Sequence, residues 1–175
     1  MLLKSAGMGY EARYMNKRTG EASMLRWVRI IALAAAAALV VNISYYFIFP
    51  DVSQLQRKNP KKTAFMKYRE AEWRRQGVHR KIQQHWVPWS AISPYVAKAV
   101  IIAEDDKFWR HEGFDFKAME KALKKDLQKR RFKVGGSTIS QQLAKNLYLS
   151  PSKNPVRKIK EAILTWRLEN RLSKR

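Results

Sequence analysis

The apolar and polar positions follow several distinct patterns along the chain. Residues 30–49 carry no charge and include an alanine run, and they are long enough to cross a bilayer core as a helix. Asn42 and Ser44 weaken the run slightly. Trp27 marks its near end, and Tyr45, Tyr46, Phe47 and Phe49 sit at its far end, where interfacial aromatics belong. Pro50 is predicted to stop this helix. Residues 51–59 read as a polar linker. From Pro60 to Gly77, Phe65, Met66, Tyr68 and Trp73 interleave with Lys67, Arg69, Arg74 and Arg75. The bounding Pro and Gly predict a helix there. Residues 81–89 read as a short strand or connector.

Ser93-Pro94 predicts the start of a helix running to Phe108, which puts Val100, Ile101 and Phe108 on the same side as Glu104. Asp115 is predicted to cap the next helix, with Phe116, Met119, Leu123 and Leu127 as its apolar stripe. Lys117, Lys121, Lys124, Lys125 and Lys129 form its other face, and a solvated basic face is enough to explain them. Gly135-Gly136 reads as a flexible turn. Thr138 with Gln141 has capping-box spacing, and the glycines before a helix start offer backbone N–H groups to an anion. Thr138, Gln142 and Lys145 share one face of that helix. Asn154-Pro155 opens a last helix with Ile159, Ile163 and Trp166 as its stripe. Arg157 and Glu161 lie four apart on it, flanked by Lys158 and Lys160.

Charge then narrows the possible partners. Lys and Arg outnumber Asp and Glu 36 to 14, for a net charge of +22, which calls for a polyanionic partner. The apolar run bears on which one. It is long for the core of a signal peptide, and its alanines lie inside it, which favours a retained anchor over a cleaved leader or a buried soluble helix. Lys4, Arg13, Lys17, Arg18, Arg26 and Arg29 precede it against Glu11 and Glu21, so the positive-inside rule puts the N-terminus in the cytoplasm and the chain after Pro50 outside. That placement argues against nucleic acid and for anionic headgroups and lipid pyrophosphates. The basic, aromatic segment from Pro60 fits either a headgroup surface or an ordinary solvated helix. With no cysteine and three scattered histidines, the chain offers no thiol chemistry and no zinc spacing. No cofactor is called for, and divalent-metal dependence stays open.

Glu104 is the first charge after an apolar run. Greasy packing on one flank and the negative end of its helix would both raise its pKa, as a general base needs. The same residues also read as a helix-end acid cluster that caps the helix and pairs with Lys107 and Arg110. Arg157 and Glu161 read either as a surface ion pair or as a second carboxylate held by cations near a charged ligand.

Three segments taken together resemble the glycosyltransferase domain of bacterial peptidoglycan polymerases, and most closely the monofunctional biosynthetic peptidoglycan transglycosylases (glycosyltransferase family 51). Glu104-Asp-Asp-Lys-Phe-Trp-Arg-His-Glu-Gly113 matches Glu-Asp-x-x-Phe-x-x-His-x-Gly. Residues 135–146 match Gly-x-Ser-Thr-x-x-Gln-Gln-x-x-Lys-Asn, and residues 157–161 match Arg-Lys-x-x-Glu. The resemblance covers about Pro60 to the end, plus the anchor. It implies a mainly α fold: a basic tail at 1–29, one transmembrane helix at 30–49, a linker at 50–59, and from residue 60 to 175 a lysozyme-like helical domain with a small membrane-dipping lobe. It further implies polymerisation of lipid II into β-1,4-linked glycan, with inversion at the anomeric carbon and release of undecaprenyl pyrophosphate.

By the same resemblance Glu104 is the general base and Glu161 the second acid. Lys145 and Arg157 neutralise the pyrophosphate, helped by Lys153 and Lys160. Thr138 and Gln142 hydrogen-bond the donor, and Asp105, Phe108 and His111 shape the pocket. The implied partners are the membrane, lipid II with its growing glycan, and other cell-wall synthesis proteins that the sequence does not specify. The implied location is the bacterial inner membrane, with the catalytic domain in the periplasm. The family continues past this point with an Ile-Leu-x-x-Tyr-Leu-Asn motif, whereas this chain stops at Arg175. It is therefore expected to lack part of the domain, to leave apolar faces uncovered, and to have doubtful activity. Two other functions fit parts of the pattern. One is a lysozyme-like hydrolase of finished glycan, for which the pyrophosphate-binding cations have no use. The other is a non-enzymatic cationic scaffold.

Overall fold

A computed structural model describes residues 3–129, 135–152 and 154–174, with side chains from residue 24 onward. Its regular elements are helical, and the described residues contain no strand. The helices are α1 (Leu3–Ser44), α2 (Ala64–Arg75), α3 (Pro94–Glu104), α4 (Phe116–Lys129), α5 (Ile139–Tyr148) and α6 (Pro155–Glu169). The chain divides into two units, one ending at Ser44 and one beginning at Tyr45.

The first unit is α1. It belongs to the one stretch among the described residues that is long and apolar enough to cross a membrane, and none of that apolar stretch is buried. The α-helix ends at Ser44 rather than at Pro50, and Tyr45–Phe47 form a 3-10 turn.

In the second unit that turn is claimed by α6. The Arg167 guanidinium donates to the carbonyls of Tyr46 (3.0 Å) and Ile48 (2.7 Å), and the Lys160 ammonium lies 4.8 Å from the Tyr46 ring centroid. The expected polar linker also differs: Val52–Gln56 is a second 3-10 turn, opened by Asp51, and Val52 is only 2% exposed. Val52 joins Ala144, Leu149, Leu164 and Leu168 in the core, with Tyr46, Leu55, Tyr148 and Leu172 packed around them. Burial of each such leucine contributes about 2 kcal/mol. Burial also pushes the Tyr148 phenol above its ordinary pKa.

Caps set the helix ends. Thr63 accepts from the Met66 N–H and starts α2. Gly77, at φ +71°, ends it, and the Val78 N–H bonds back to the Trp73 carbonyl. Glu70, buried on α2, takes the Lys62 ammonium at 2.6 Å and the Ile82 N–H, which pins the extended connector that follows. The Lys62 contact holds its carboxyl below the usual range. Asn154 caps α6 through the Val156 N–H, with Pro155 in the first turn.

Three helical expectations change. α3 stops at Glu104, because Asp105 turns extended (φ −163°, ψ 77°), and Phe108 belongs to a separate 3-10 turn, Phe108–Arg110. On α4 the expected stripe is not the packed side: Leu123 and Leu127 are 55% and 62% exposed, while Ala122 and Asp126 are buried. The cause is Gly136, whose missing Cβ would lie 3.0 Å from Ala122 Cβ, so backbone passes against the small side of the helix. Gly136 thus serves close approach rather than flexibility. On α6, Glu161, Leu164, Thr165 and Leu168 are buried along with Ile163, whereas Ile159 and Trp166 are exposed.

Two measurements test these local devices. Gly113 sits at φ +85°, and a Cβ there would meet Glu169 Cγ at 2.8 Å and Thr165 Cγ2 at 2.9 Å. Gly77 has a similar φ with nothing within 4 Å. Gly77→Ala should therefore cost about 1 kcal/mol from backbone strain alone, and Gly113→Ala about 3 kcal/mol in denaturant unfolding. Equal losses would show that the close approach carries no weight. Asp115 accepts from the Ala118 N–H (2.9 Å) and the Lys107 ammonium (3.1 Å), and chiefly the former holds its carboxyl below the ordinary aspartate range. Because the folded pKa is the lower one, this stabilisation is present above the unfolded value of about 4 and is lost as pH falls through the folded one. Asp115→Ala should cost about 1 kcal/mol at neutral pH, and its difference from wild type should shrink on acidification. A difference that does not change with pH would contradict the assignment.

Candidate active site

The two acids at the end of α3 face different surroundings. Glu104 is exposed, and its Oε2 accepts a hydrogen bond from Gln142 Nε2 at 2.8 Å. Of the apolar flank expected beside it, Val100 is exposed, while Ile101 and Phe108 are half-buried. Asp105 is the buried acid, at 7% exposure. Its carboxylate accepts from His111 Nε2 (2.8 and 2.9 Å) and from the Ile139 N–H (3.0 Å) in the first turn of α5. A helix N-terminus favours a negative charge, so the start of α5 supports Asp105 electrostatically. The Gly113 N–H donates to His111 Nδ1 at 3.1 Å. Nδ1 is therefore the acceptor, and the ring proton sits on Nε2, directed at Asp105. Phe108 meets Trp109 edge-on at 5.0 Å and lies 6.4 Å from the His111 ring.

α5 begins with the full capping box. Thr138 Oγ1 accepts from the Gln141 N–H (3.2 Å), and Gln141 Oε1 accepts from the Thr138 N–H (3.0 Å). The Thr138 hydroxyl then donates to the Gly113 carbonyl at 2.7 Å, and the residue is buried. Thr138 thus locks α5 to the end of the first motif, and its side chain is spent on that bond rather than turned toward a donor. Gln142 and Lys145 follow on α5. Gln142 is held by Glu104, while Lys145 is half-buried with no acidic partner among the described residues.

Glu161 on α6 is 2% exposed, so the pair with Arg157 is no surface bridge. Arg157 Nη1 reaches it at 2.5 Å, and the Lys158 ammonium bonds its other oxygen. Both oxygens of this buried carboxylate have cationic partners, and removing either would leave one oxygen without its donor. Lys158 also reaches Ser137 Oγ at 3.4 Å, and Arg157 Nε donates to the Ser152 carbonyl at 2.5 Å. Lys160, expected beside Arg157, instead lies over the Tyr46 ring. Lys160 is adjacent to Glu161 and so does not face it, whereas Lys158 stands three residues before Glu161 and does. Lys153 lies outside the described residues.

The structure therefore joins the three motifs by direct bonds. Glu104 and Asp105 meet Gln142 and Ile139, and Ser137 meets Lys158 beside Glu161. It also adds residues that no local pattern marked. Glu169 accepts from the Ser140 hydroxyl, and Lys174 reaches Glu169 and the carbonyls of Phe108 and His111. Apart from the Lys174–Glu169 contact, these partners lie 29 to 66 residues apart in sequence, beyond the reach of helical spacing. Chemically, the site offers an exposed carboxylate on one side of α5 and, past its start, a carboxylate that holds two cations.

The family described as Transglycosylase matches this chain over residues 69–175, a range that contains all three motifs. The biosynthetic peptidoglycan transglycosylase of Nitrosospira multiformis is 45% identical over 150 residues, covering 86% of this chain and 64% of that protein. The one from Dechloromonas aromatica is 51% identical over 117 residues, covering 67% of this chain and 51% of that protein. The one from Laribacter hongkongensis is 41% identical over 153 residues, or 87% and 66%. The chain thus spans about half to two thirds of the length of these curated relatives. A match that runs from α2 through α6, over residues that the fold bonds into one cluster, establishes that the chain belongs to the transglycosylase family.

Proposed function

We propose that this protein acts as a peptidoglycan glycosyltransferase, polymerising lipid II into β-1,4-linked glycan. The observation that carries the reading is the joining of three motifs around α5, with an exposed carboxylate bonded to Gln142 and a carboxylate-held cation pair past the start of the helix. The name shared by the curated relatives supports it. In this reading the Glu104 carboxylate takes the proton from the acceptor 4-hydroxyl as that oxygen attacks the anomeric carbon of the donor glycan. The bond from that carbon to the pyrophosphate oxygen breaks, its electron pair leaves with undecaprenyl pyrophosphate, and the configuration inverts. Lys145, Arg157 and Lys158 offset the charge that develops on the leaving group.

Within this scheme Glu161 holds Arg157 and Lys158 in place, and Gln142 aims Glu104. Asp105 and His111 fix the loop that follows Glu104 at the end of α3. A hydrolase of finished glycan would have no use for the cation set. The apolar α1 stretch and its basic flank support a single-pass anchor in the bacterial inner membrane, with the N-terminus in the cytoplasm and the domain in the periplasm. The lipid tail of the substrate would then hold it at the same surface.

Glu104→Gln should lower lipid II polymerisation by about a thousandfold while the thermal midpoint stays within about 1 °C, because the residue is exposed. Full polymerisation by that variant would refute the assignment of the base, and none by the wild type would refute the activity. Lys145→Ala should lower kcat about a hundredfold, measured in the same assay.

A further inference from the structure

Lys174 is joined to the first motif more closely than any spacing in the sequence would indicate. Its ammonium donates to the Phe108 carbonyl at 2.5 Å and to the His111 carbonyl, and it lies 3.6 Å from Glu169 Oε2. It also stands 4.7 Å from the centroid of the Phe108 ring. An ammonium has three donors, and here three acceptors surround it. Glu169 is itself fixed: it accepts from Ser140 in the first turn of α5, and its Cγ lies under Gly113. The ammonium therefore rests on a carboxylate anchored to both α5 and α6, and from there it grips both ends of the 108–111 turn. That turn carries His111, which holds Asp105, the residue that follows Glu104.

We propose that Lys174 is a positioning residue for Glu104: it clamps the 108–111 turn onto Glu169 and so holds the Asp105–His111 pair that sets where Glu104 stands. The proposal rests on Glu104 being the base of the glycosyl transfer proposed above. It names a residue outside the three motifs, acting through backbone carbonyls rather than on substrate.

The test uses the full 175-residue chain with Lys174→Met, Lys174→Arg and, as a second way to weaken the clamp, Glu169→Gln. Two readouts are taken. In amide hydrogen exchange, Lys174→Met should raise exchange across residues 105–113 at least about tenfold, with the core amides of α5 and α6 unchanged. Glu169→Gln should move the same segment in the same direction. In lipid II polymerisation, Lys174→Met should lower kcat about thirtyfold with KM within about threefold of wild type, and Lys174→Arg should recover most of the loss.

Unchanged exchange in residues 105–113, or an unchanged kcat in an active wild-type background, would overturn the proposal. So would a uniform rise in exchange through α5 and α6, which would make the contact one that holds the fold. If the wild type polymerises nothing, the functional reading fails, and the exchange data still decide whether Lys174 clamps the turn.

Discussion

The arrangement depends on one buried carboxylate. Asp105 leaves the helical path, loses contact with water, and finds the His111 ring and the Ile139 N–H as partners. Both partners are needed: a carboxylate at this depth without donors costs several kcal/mol. The bond to Ile139 ties the end of α3 to the start of α5, a separation of 34 residues. The bond to His111 folds the intervening loop beneath it. Gly113 then completes the loop, giving its N–H to His111 and its carbonyl to Thr138, with no room for a side chain between it and Glu169. Glu104 is placed by what its neighbour does rather than by packing of its own.

A second buried carboxylate organises the cations. Much of the chain's large positive charge lies on exposed faces, but Arg157 and Lys158 are held at fixed points by Glu161. Fixing two cations on one acid keeps their side chains extended toward a shared point and lowers the entropy lost when an anion arrives. Lys145 differs, since among the described residues no acid holds it. In the proposed scheme the two arrangements divide the pyrophosphate between a pre-set pair and a cation left available.

How much of this was legible in the sequence depended on the range of each interaction. The caps of α5 and α6 were legible because Thr138–Gln141 and Asn154–Pro155 act within one turn. The motifs named residues that the fold brings close together, but not the contacts each makes: Thr138 bonds the Gly113 carbonyl, Lys160 lies over Tyr46, and Lys158 holds Glu161. Helical stripes were misread where tertiary contact chose the face. Gly136 lets the backbone pass against the Ala122 side of α4, and α6 turns Leu164 and Leu168 inward against Val52. At the end of α3 the periodicity put Glu104 beside an apolar flank because it assumed that the helix ran on to Phe108, and it carried no sign that Asp105 would be the buried acid. Lys174 and Glu169 gave no local signal, because their partners are backbone carbonyls and a serine far away in sequence.

The opposed environments of Glu104 and Asp105 have an evolutionary consequence. Adjacent codons specify a residue that faces solvent and one on which the loop is built. In the proposed scheme, drift at the first would silence chemistry while leaving a folded, cationic protein, whereas drift at the second would take from the loop the carboxylate that His111 and Ile139 bond. A lineage released from selection for polymerisation would therefore tend to leave behind intact but inert descendants, altered at position 104 and unaltered at 105. Such a pattern of replacement would distinguish relatives that have become binding proteins from those still under selection for turnover.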